Sequence, residues 1–137
     1  MVSADHSSGC MAHDGLVVGG EPAGFVLRAH DFAIYHAGDT NVFTDMDIIS
    51  ELYKPTHALI PIGGHFTMGP REAAYAIARF LKSVRCVIPM HFGTFPLLKG
   101  TVEEFQAFLE IFTPEFKREP VKVIDPFTLV FGLTDLP

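Results

Sequence analysis

Three largely apolar runs of strand length alternate with helix-patterned segments, and each run stops at a turn that contains glycine. The runs lie at 32–36, 58–62 and 84–90. Short apolar runs bounded by Gly and Pro are typical of buried strands. Strands that alternate with helices predict an α/β layer architecture, in which residues after the carboxyl ends of the strands form the functional site.

The segments that follow these runs predict three helices. Thr44 or Asp45 is expected to cap the first helix. The second helix is expected to begin at Pro70, because proline is favoured at the first helical position. Thr101 and Glu104 have the spacing of a capping box, which predicts the start of the third helix. Each apolar run is therefore followed by a helix start.

Four shorter β-prone segments complete the predicted sheet. They lie at 16–18, 24–29, 121–124 and 128–131. The Gly-Gly-Glu-Pro cluster at 19–22 predicts a hairpin loop between the first two of them.

Length and charge limit the classes of protein to which the chain can belong. Its 137 residues, 48% of them hydrophobic, predict one globular domain. A formal net charge of -6 without a cluster of Lys or Arg argues against a nucleic-acid partner. No apolar run reaches the roughly 20 residues that span a bilayer, so no membrane partner is expected and the predicted location is cytoplasmic. Cys10 and Cys86 are predicted to be free thiols.

Five polar residues stand at or beside the turns that end the predicted strands. Asp39 and His91 follow two of the buried runs, His6 lies in a polar turn, and His36 and His65 lie beside the same turns. Carboxylate and neutral imidazole are ligands that Zn²⁺ and similar divalent ions prefer. Because the chain has no G-x-S-x-G nucleophile elbow, hydrolytic metal chemistry is the leading hypothesis from the residues alone.

Each candidate also has an ordinary structural interpretation. Asp39 would then be a turn aspartate bonded to its own backbone, His91 a core histidine, and His6 a solvated turn residue. His65 faces either substrate or solvent, and His36 is either structural or a group that orients Asp39. The remaining histidines are predicted to lie on the surface: His13, His30 and His57.

Four tracts of the chain, taken in order, closely resemble the metallo-β-lactamase superfamily of metal-dependent hydrolases. They lie at 6–9 (HSSG), 36–40 (HAGDT), 61–70 (PIGGHFTMGP) and 89–96 (PMHFGTFP). The branch that they resemble is the one similar to L-ascorbate-6-phosphate lactonase. This resemblance implies an αβ/βα sandwich that holds one or two divalent ions, zinc or manganese.

The resemblance also implies separate roles for the candidate residues. His6 matches a histidine ligand of the first metal, Asp39 the catalytic carboxylate that bridges two metals, and His91 the terminal ligand of the second. His65 and His36 become substrate-facing or supporting residues. The implied reaction is attack on an ester, lactone or phosphoester of a small-molecule substrate by hydroxide, formed because the metal lowers the pKa of bound water to about 7.

The chain departs from the family pattern in lacking an H-x-H-x-D-H tract, which supplies further ligands in the N-terminal half of the sandwich. Residues 1–137 are therefore predicted to form a single partial domain, truncated to the C-terminal half, with a mixed sheet, helices on one face and the other face uncovered. The predicted partner is the missing N-terminal half or a second copy in a homo-oligomer. The alternative function is a non-catalytic remnant that acts by pairing with another chain.

Overall fold

The computed structural model describes residues 1–128 of the chain. These residues form a six-stranded sheet with helices packed on it and a separate two-stranded hairpin. The elements in chain order are β1 (Val2–Ser3), β2 (Gly9–Ala12), β3 (Gly15–Val18), β4 (Ala23–Ala29), β5 (Phe32–His36), α1 (Met46–Tyr53), β6 (His57–Pro61), α2 (Pro70–Arg79), β7 (Cys86–Met90), α3 (Val102–Glu115) and β8 (Lys122–Val123).

The large sheet is mixed, with strand order β1-β4-β5-β6-β7-β8. β4 runs antiparallel to β1 and β5, whereas β5, β6, β7 and β8 are parallel to one another. The carboxyl ends of β5, β6 and β7 consequently lie along one edge of the sheet, which is where parallel sheets form their sites. The predicted α/β class with a mixed sheet is confirmed.

The core lies between one face of the sheet and the helices. Alternate strand residues point to this face, among them Tyr35 and Val87, which are fully buried. All three helices contribute side chains to the same cluster, and α2 does so mainly through alanines, which allow its backbone to approach closely. The helical members of the cluster are Met46, Ile49, Ala73, Ala74, Ala76, Ile77, Val102, Phe105 and Leu109.

The helix boundaries follow the predicted signals. Pro70 is the first residue of α2. At α3 the capping box is complete: the Glu104 backbone N–H donates to Thr101 Oγ1 at 3.2 Å, and the Thr101 N–H donates to Glu104 Oε2 at 3.3 Å. Asp45 is the N-cap residue of α1, although its side chain makes no capping bond. No helix among residues 1–128 has the length and apolar character needed to cross a bilayer.

The predicted hairpin between 16–18 and 24–29 is wrong. β3 pairs with β2 instead, and Ala12 faces Gly15 across a two-residue loop. Gly15 has φ 124°, which suits it to the end of a tight turn. The cluster at 19–22 carries the chain from this hairpin to the sheet. Of the strand predicted at 128–131, all but the first residue lies outside the described residues.

The second face of the sheet is uncovered and apolar. Phe25, Leu27 and Phe32 are exposed there by 48%, 59% and 45%. The register places Leu27 beside Ile34 and continues the same face through Leu59, paired with Ile88. Parallel strands are normally buried on both faces. An uncovered face was expected from the sequence; which polypeptide covers it stays a prediction.

Candidate metal centre

Asp39 and His91 meet at the carboxyl edge of the sheet. Asp39 follows β5 and His91 follows β7, so β6 lies between their strands. Nevertheless, His91 Nε2 is 3.6 Å from Asp39 Oδ1. The His91 side chain is 26% exposed and that of Asp39 is 53% exposed, so the pair faces solvent from the edge of the core. The sequence-based expectation that these strand ends converge is therefore correct.

The backbone and ring of His91 are both unusual. The residue has φ 54°, in the left-handed region that non-glycine residues rarely occupy and that recurs at functional sites. Its Nδ1 atom is buried and has no hydrogen-bond partner among the described residues. Buried polar atoms are nearly always satisfied, so an orphaned one at this position points to a functional group.

Gly63 explains how the loop after β7 reaches Asp39. A Cβ atom on Gly63 would overlap the carbonyl oxygen of His91 and would lie 3.1 Å from the Leu98 Cβ. The loops after β6 and β7 are joined by further backbone bonds: the Ile62 N–H donates to Met90 O at 3.1 Å. Only glycine leaves room for this approach of two backbones.

The turn that carries Asp39 is fixed by its neighbours on both sides. Gly38 has φ 68°, and a Cβ there would lie 2.7 Å from the Ala23 carbonyl oxygen. The Gly38 N–H donates to Nδ1 of His36 at 3.1 Å. The His36 imidazole therefore bonds to the backbone of the turn and not to the Asp39 carboxylate.

Thr40 ties the N-terminal segment to this turn and was not singled out from the sequence. Its side chain is fully buried; Oγ1 accepts from the Asp5 N–H at 2.8 Å and donates to Asn41 O at 2.8 Å. The Asn41 N–H in turn donates to Asp5 O at 2.8 Å. These bonds hold the residue before His6 against the residues after Asp39. The sequence carries no local signal for this bond, because Asp5 and Thr40 are 35 positions apart.

His6 lies beside this region but does not join the pair. Its Nδ1 donates to the Ser7 carbonyl at 2.7 Å, which leaves Nε2 as the acceptor of a neutral ring. Among residues 1–128, no three His, Cys, Asp or Glu side chains are arranged to hold a metal ion. The structure therefore brings together two of the three predicted ligands.

His65 lies in the loop after β6 and faces a pocket. It is exposed, has φ 62°, and its ring contacts the Phe66 ring edge-on, with the centroids 4.1 Å apart. The pocket has a volume of about 430 Å³ and is also lined by Gly63, Lys99 and Glu104. Gly63, which lines this pocket, also lies against the His91 carbonyl oxygen, although neither Asp39 nor His91 lines the pocket itself.

The other histidines lie away from the pair. His13 Nδ1 is 3.2 Å from Asp14 Oδ1, but both side chains are fully exposed in a hairpin loop. His30 is exposed. His57 is half-buried within β6, where its Nδ1 lies 2.9 Å from Thr56 Oγ1.

An imidazole and a carboxylate side by side fit part of a divalent metal site. Both are ligands that zinc uses, and both suit manganese. The Nδ1 atom of His91 is buried without a hydrogen-bond partner, which is unusual for an imidazole that only packs in a core and is consistent with a functional residue. A complete site needs three or four protein ligands, so the described residues supply a portion of one.

The chain matches a family model described as a beta-lactamase superfamily domain over residues 1–92. Among curated proteins it is 51% identical over 112 residues to a UPF0173 metal-dependent hydrolase of Koribacter versatilis, covering 81% of this chain and 47% of that protein. A UPF0173 metal-dependent hydrolase of Caldivirga maquilingensis is 48% identical over 110 residues, covering 80% and 48%. The chain thus spans about half the length of these relatives.

Solved structures of similar fold carry related descriptions. A metallo hydrolase from the archaeon Ignicoccus hospitalis superposes with a TM-score of 0.67 and 36% identity, covering 89% of this chain and 46% of that one. A candidate Zn-dependent hydrolase of the metallo-β-lactamase superfamily from Thermotoga maritima gives a TM-score of 0.56 and 27% identity, covering 85% and 62%.

Proposed function

The chain belongs to the beta-lactamase superfamily, and we propose that Asp39 and His91 are metal ligands of a hydrolase site and that His6 is the third ligand. The observation that carries this proposal is the 3.6 Å approach of Asp39 and His91 from non-adjacent strands. The names of the relatives, which are metal-dependent hydrolases, support it.

In this proposal the Asp39 carboxylate and the His91 imidazole hold a divalent ion, zinc or manganese. Such an ion supplies the chemistry of hydrolysis, since it lowers the pKa of a bound water and polarises a scissile carbonyl or phosphoryl group. Asp39 would be the catalytic carboxylate and, where two ions bind, would be shared between them, because its negative charge would reduce the repulsion between the two cations. Zinc is favoured by the description of the Thermotoga maritima structure.

Other residues of the chain position these ligands. The His36 imidazole accepts from the backbone N–H of Gly38 and so holds the turn before Asp39. Thr40 holds the segment that leads to His6. The glycine at position 63 lets the loop of His91 lie against the loop after β6. Ligand geometry is thus set by backbone contacts between loops, which restrict how far each ligand can move.

We propose a small ester, lactone or phosphoester as the substrate. The pocket that Gly63 lines, where it lies against the His91 backbone, has the dimensions of a small-molecule site, about 430 Å³. Its polar side chains are those of His65, Lys99 and Glu104. Lys99 and Glu104 carry opposite charges there, so these two charges of the lining cancel.

We propose that the remaining ligands come from polypeptide that covers the apolar sheet face. The chain spans about half the length of its relatives, which supports this proposal. The same uncovered face favours a second candidate function, a non-catalytic half-domain that pairs with another chain. Exposed Phe25 and Leu27 are the specific observation behind that alternative.

Hydrolysis assays with a matched pair of aspartate variants distinguish the two functions. The chain, together with the polypeptide that supplies the remaining ligands, is loaded with Zn²⁺ or Mn²⁺ and tested on a nitrophenyl ester, a lactone and a bis-nitrophenyl phosphate. For a hydrolase we expect turnover that a chelator abolishes, that Asp39→Asn abolishes, and that Asp14→Asn leaves unchanged, because Asp14 also neighbours a histidine but lies in the exposed hairpin loop. Metal binding without turnover of any substrate would favour the half-domain.

A further inference from the structure

A second pocket lies at the edge of the sheet opposite the candidate metal centre. Its volume is about 540 Å³. Three loops form it, at 54–56, 82–85 and 116–120, and these loops lead into the amino ends of the parallel strands β6, β7 and β8. Because Asp39 and His91 follow the carboxyl ends of β5 and β7, this pocket is separate from the metal centre.

The pocket gathers positive charge in an acidic chain. The whole sequence has ten Lys and Arg and a formal net charge of -6. Five of these ten cations line this pocket, together with a single acidic residue, Glu119. The five are Lys54, Lys82, Arg85, Lys117 and Arg118.

Three of the cations are free to meet a ligand. Lys54, Arg85 and Lys117 are exposed, and none forms an ion pair with a carboxylate among residues 1–128. Lys82 is partly neutralised, since its Nζ lies 3.9 Å from Asp47 Oδ1 in an exposed pair that contributes little to stability.

Arg118 lines the pocket and is held in place by backbone carbonyl groups. Its guanidinium donates to the carbonyl oxygens of Ile77, Leu81 and Val84 at the carboxyl end of α2, and Nε is buried without a partner in the described part of the chain. Carbonyl oxygens satisfy its N–H groups but leave its charge without a counterion. Burial lowers the pKa of Arg118 to about 10, which still leaves it protonated at neutral pH.

We propose that this pocket binds a small phosphate-bearing anion. Guanidinium and ammonium groups converging on one concave site are the usual recognition elements for phosphate. The volume suits a small ligand. A nucleic acid is not favoured, because the cations line a pocket rather than a stripe and the chain as a whole is acidic.

Calorimetric titration of the full chain with inorganic pyrophosphate tests this site. A chelator is present so that the anion cannot bind through a metal, and inorganic phosphate is titrated in parallel. We expect saturable binding that weakens with salt, with amide NMR shifts concentrated at Lys54, Thr56 and the segments 83–85 and 117–119. Arg85→Gln should weaken binding about tenfold, as the loss of one charge-assisted contact implies.

The matched control is Arg71→Gln, which removes the same charge from an exposed position in the first turn of α2. This variant should leave the Kd within about twofold, since its charge lies outside the pocket and is screened at 0.15 M salt. Absence of saturable binding, or equal weakening by Arg85→Gln and Arg71→Gln, would overturn the proposal. Amide shifts confined to the loops of Asp39 and His91 would overturn it as well.

Discussion

His91 Nε2 lies 3.6 Å from Asp39 Oδ1, although strand β6 separates the strands that these residues follow. The chain contains a closer pair, His13 and Asp14 at 3.2 Å, but those residues are adjacent in sequence and fully exposed. Residues that are adjacent in sequence can lie close together even in an unfolded chain. The approach of Asp39 and His91 is produced by tertiary structure, and the contacts that produce it can be tested one at a time.

Thr40→Val should destabilise the chain by about 1–3 kcal/mol. The change keeps the shape of the side chain but removes the hydroxyl that accepts from the Asp5 N–H, leaving a partly buried donor unpaired. Urea denaturation measures the loss. The control Thr94→Val alters an exposed threonine and should change the free energy of unfolding by less than about 0.5 kcal/mol. Equal effects of the two changes would show that the Thr40 bond is unimportant.

Gly63→Ala should displace the loop that carries His91. The added methyl group overlaps the His91 carbonyl oxygen, so we expect a loss of about 3 kcal/mol, the upper end of overpacking costs. Gly93→Ala is the matched change in the loop that carries His91: no atom would lie within 4 Å of the added Cβ, and the left-handed φ of 66° alone would cost about 1 kcal/mol. A Gly63 variant as stable as wild type would contradict the close packing of these loops.

The two cysteines should react with thiol reagents at very different rates. Both are free, as the sequence predicted; Cys10 is exposed and Cys86 is buried. Burial raises the pKa of the Cys86 thiol more than nearby Lys122 lowers it, so less reactive thiolate is present at neutral pH. Stopped-flow measurement with a disulfide reagent should give one fast thiol, and Cys10→Ser should remove that phase. Loss of the slow phase instead would contradict the burial of Cys86.

Leu27→Ser should reduce self-association of the isolated chain. Leu27 is 59% exposed on the uncovered apolar face, and apolar patches of this kind drive association. Sedimentation velocity measures the oligomer fraction. Leu52→Ser is the control, because Leu52 is 67% exposed but lies on α1. If both changes act equally, general surface hydrophobicity and not the sheet face causes association.

The sequence predicted the local elements of the fold better than their long-range pairing. The apolar run at 32–36 coincides with β5, and the Thr101–Glu104 capping box is present, because both signals depend on residues near one another in the chain. The pairing of β3 with β2 was missed. Only the turn signal at 19–22 was used to predict a hairpin, whereas the register shows that the hairpin loop lies earlier in the chain, at residues 13 and 14.

In the candidate site, too, local features could be predicted from the sequence and long-range contacts could not. Asp39 and His91 could be identified because strand ends and glycine turns are visible in the sequence, and parallel strands align their carboxyl ends. The bond between Thr40 and Asp5 joins residues far apart in the chain and leaves no local pattern. Roles as bridging or terminal ligand, and the placement of His6 as a third ligand, stay predictions, because His6 does not join the pair in the described residues.

Titration with paramagnetic Mn²⁺, followed by NMR, tests most directly whether Asp39 and His91 are metal ligands. The ion broadens resonances of nearby groups, so it maps its own binding site in the intact chain. We predict that His91, His6 and the backbone at 38–41 broaden first, and that Asp39→Asn abolishes this pattern while Asp14→Asn preserves it. Broadening centred on His13 and Asp14, or no selective broadening, would contradict the proposed metal centre.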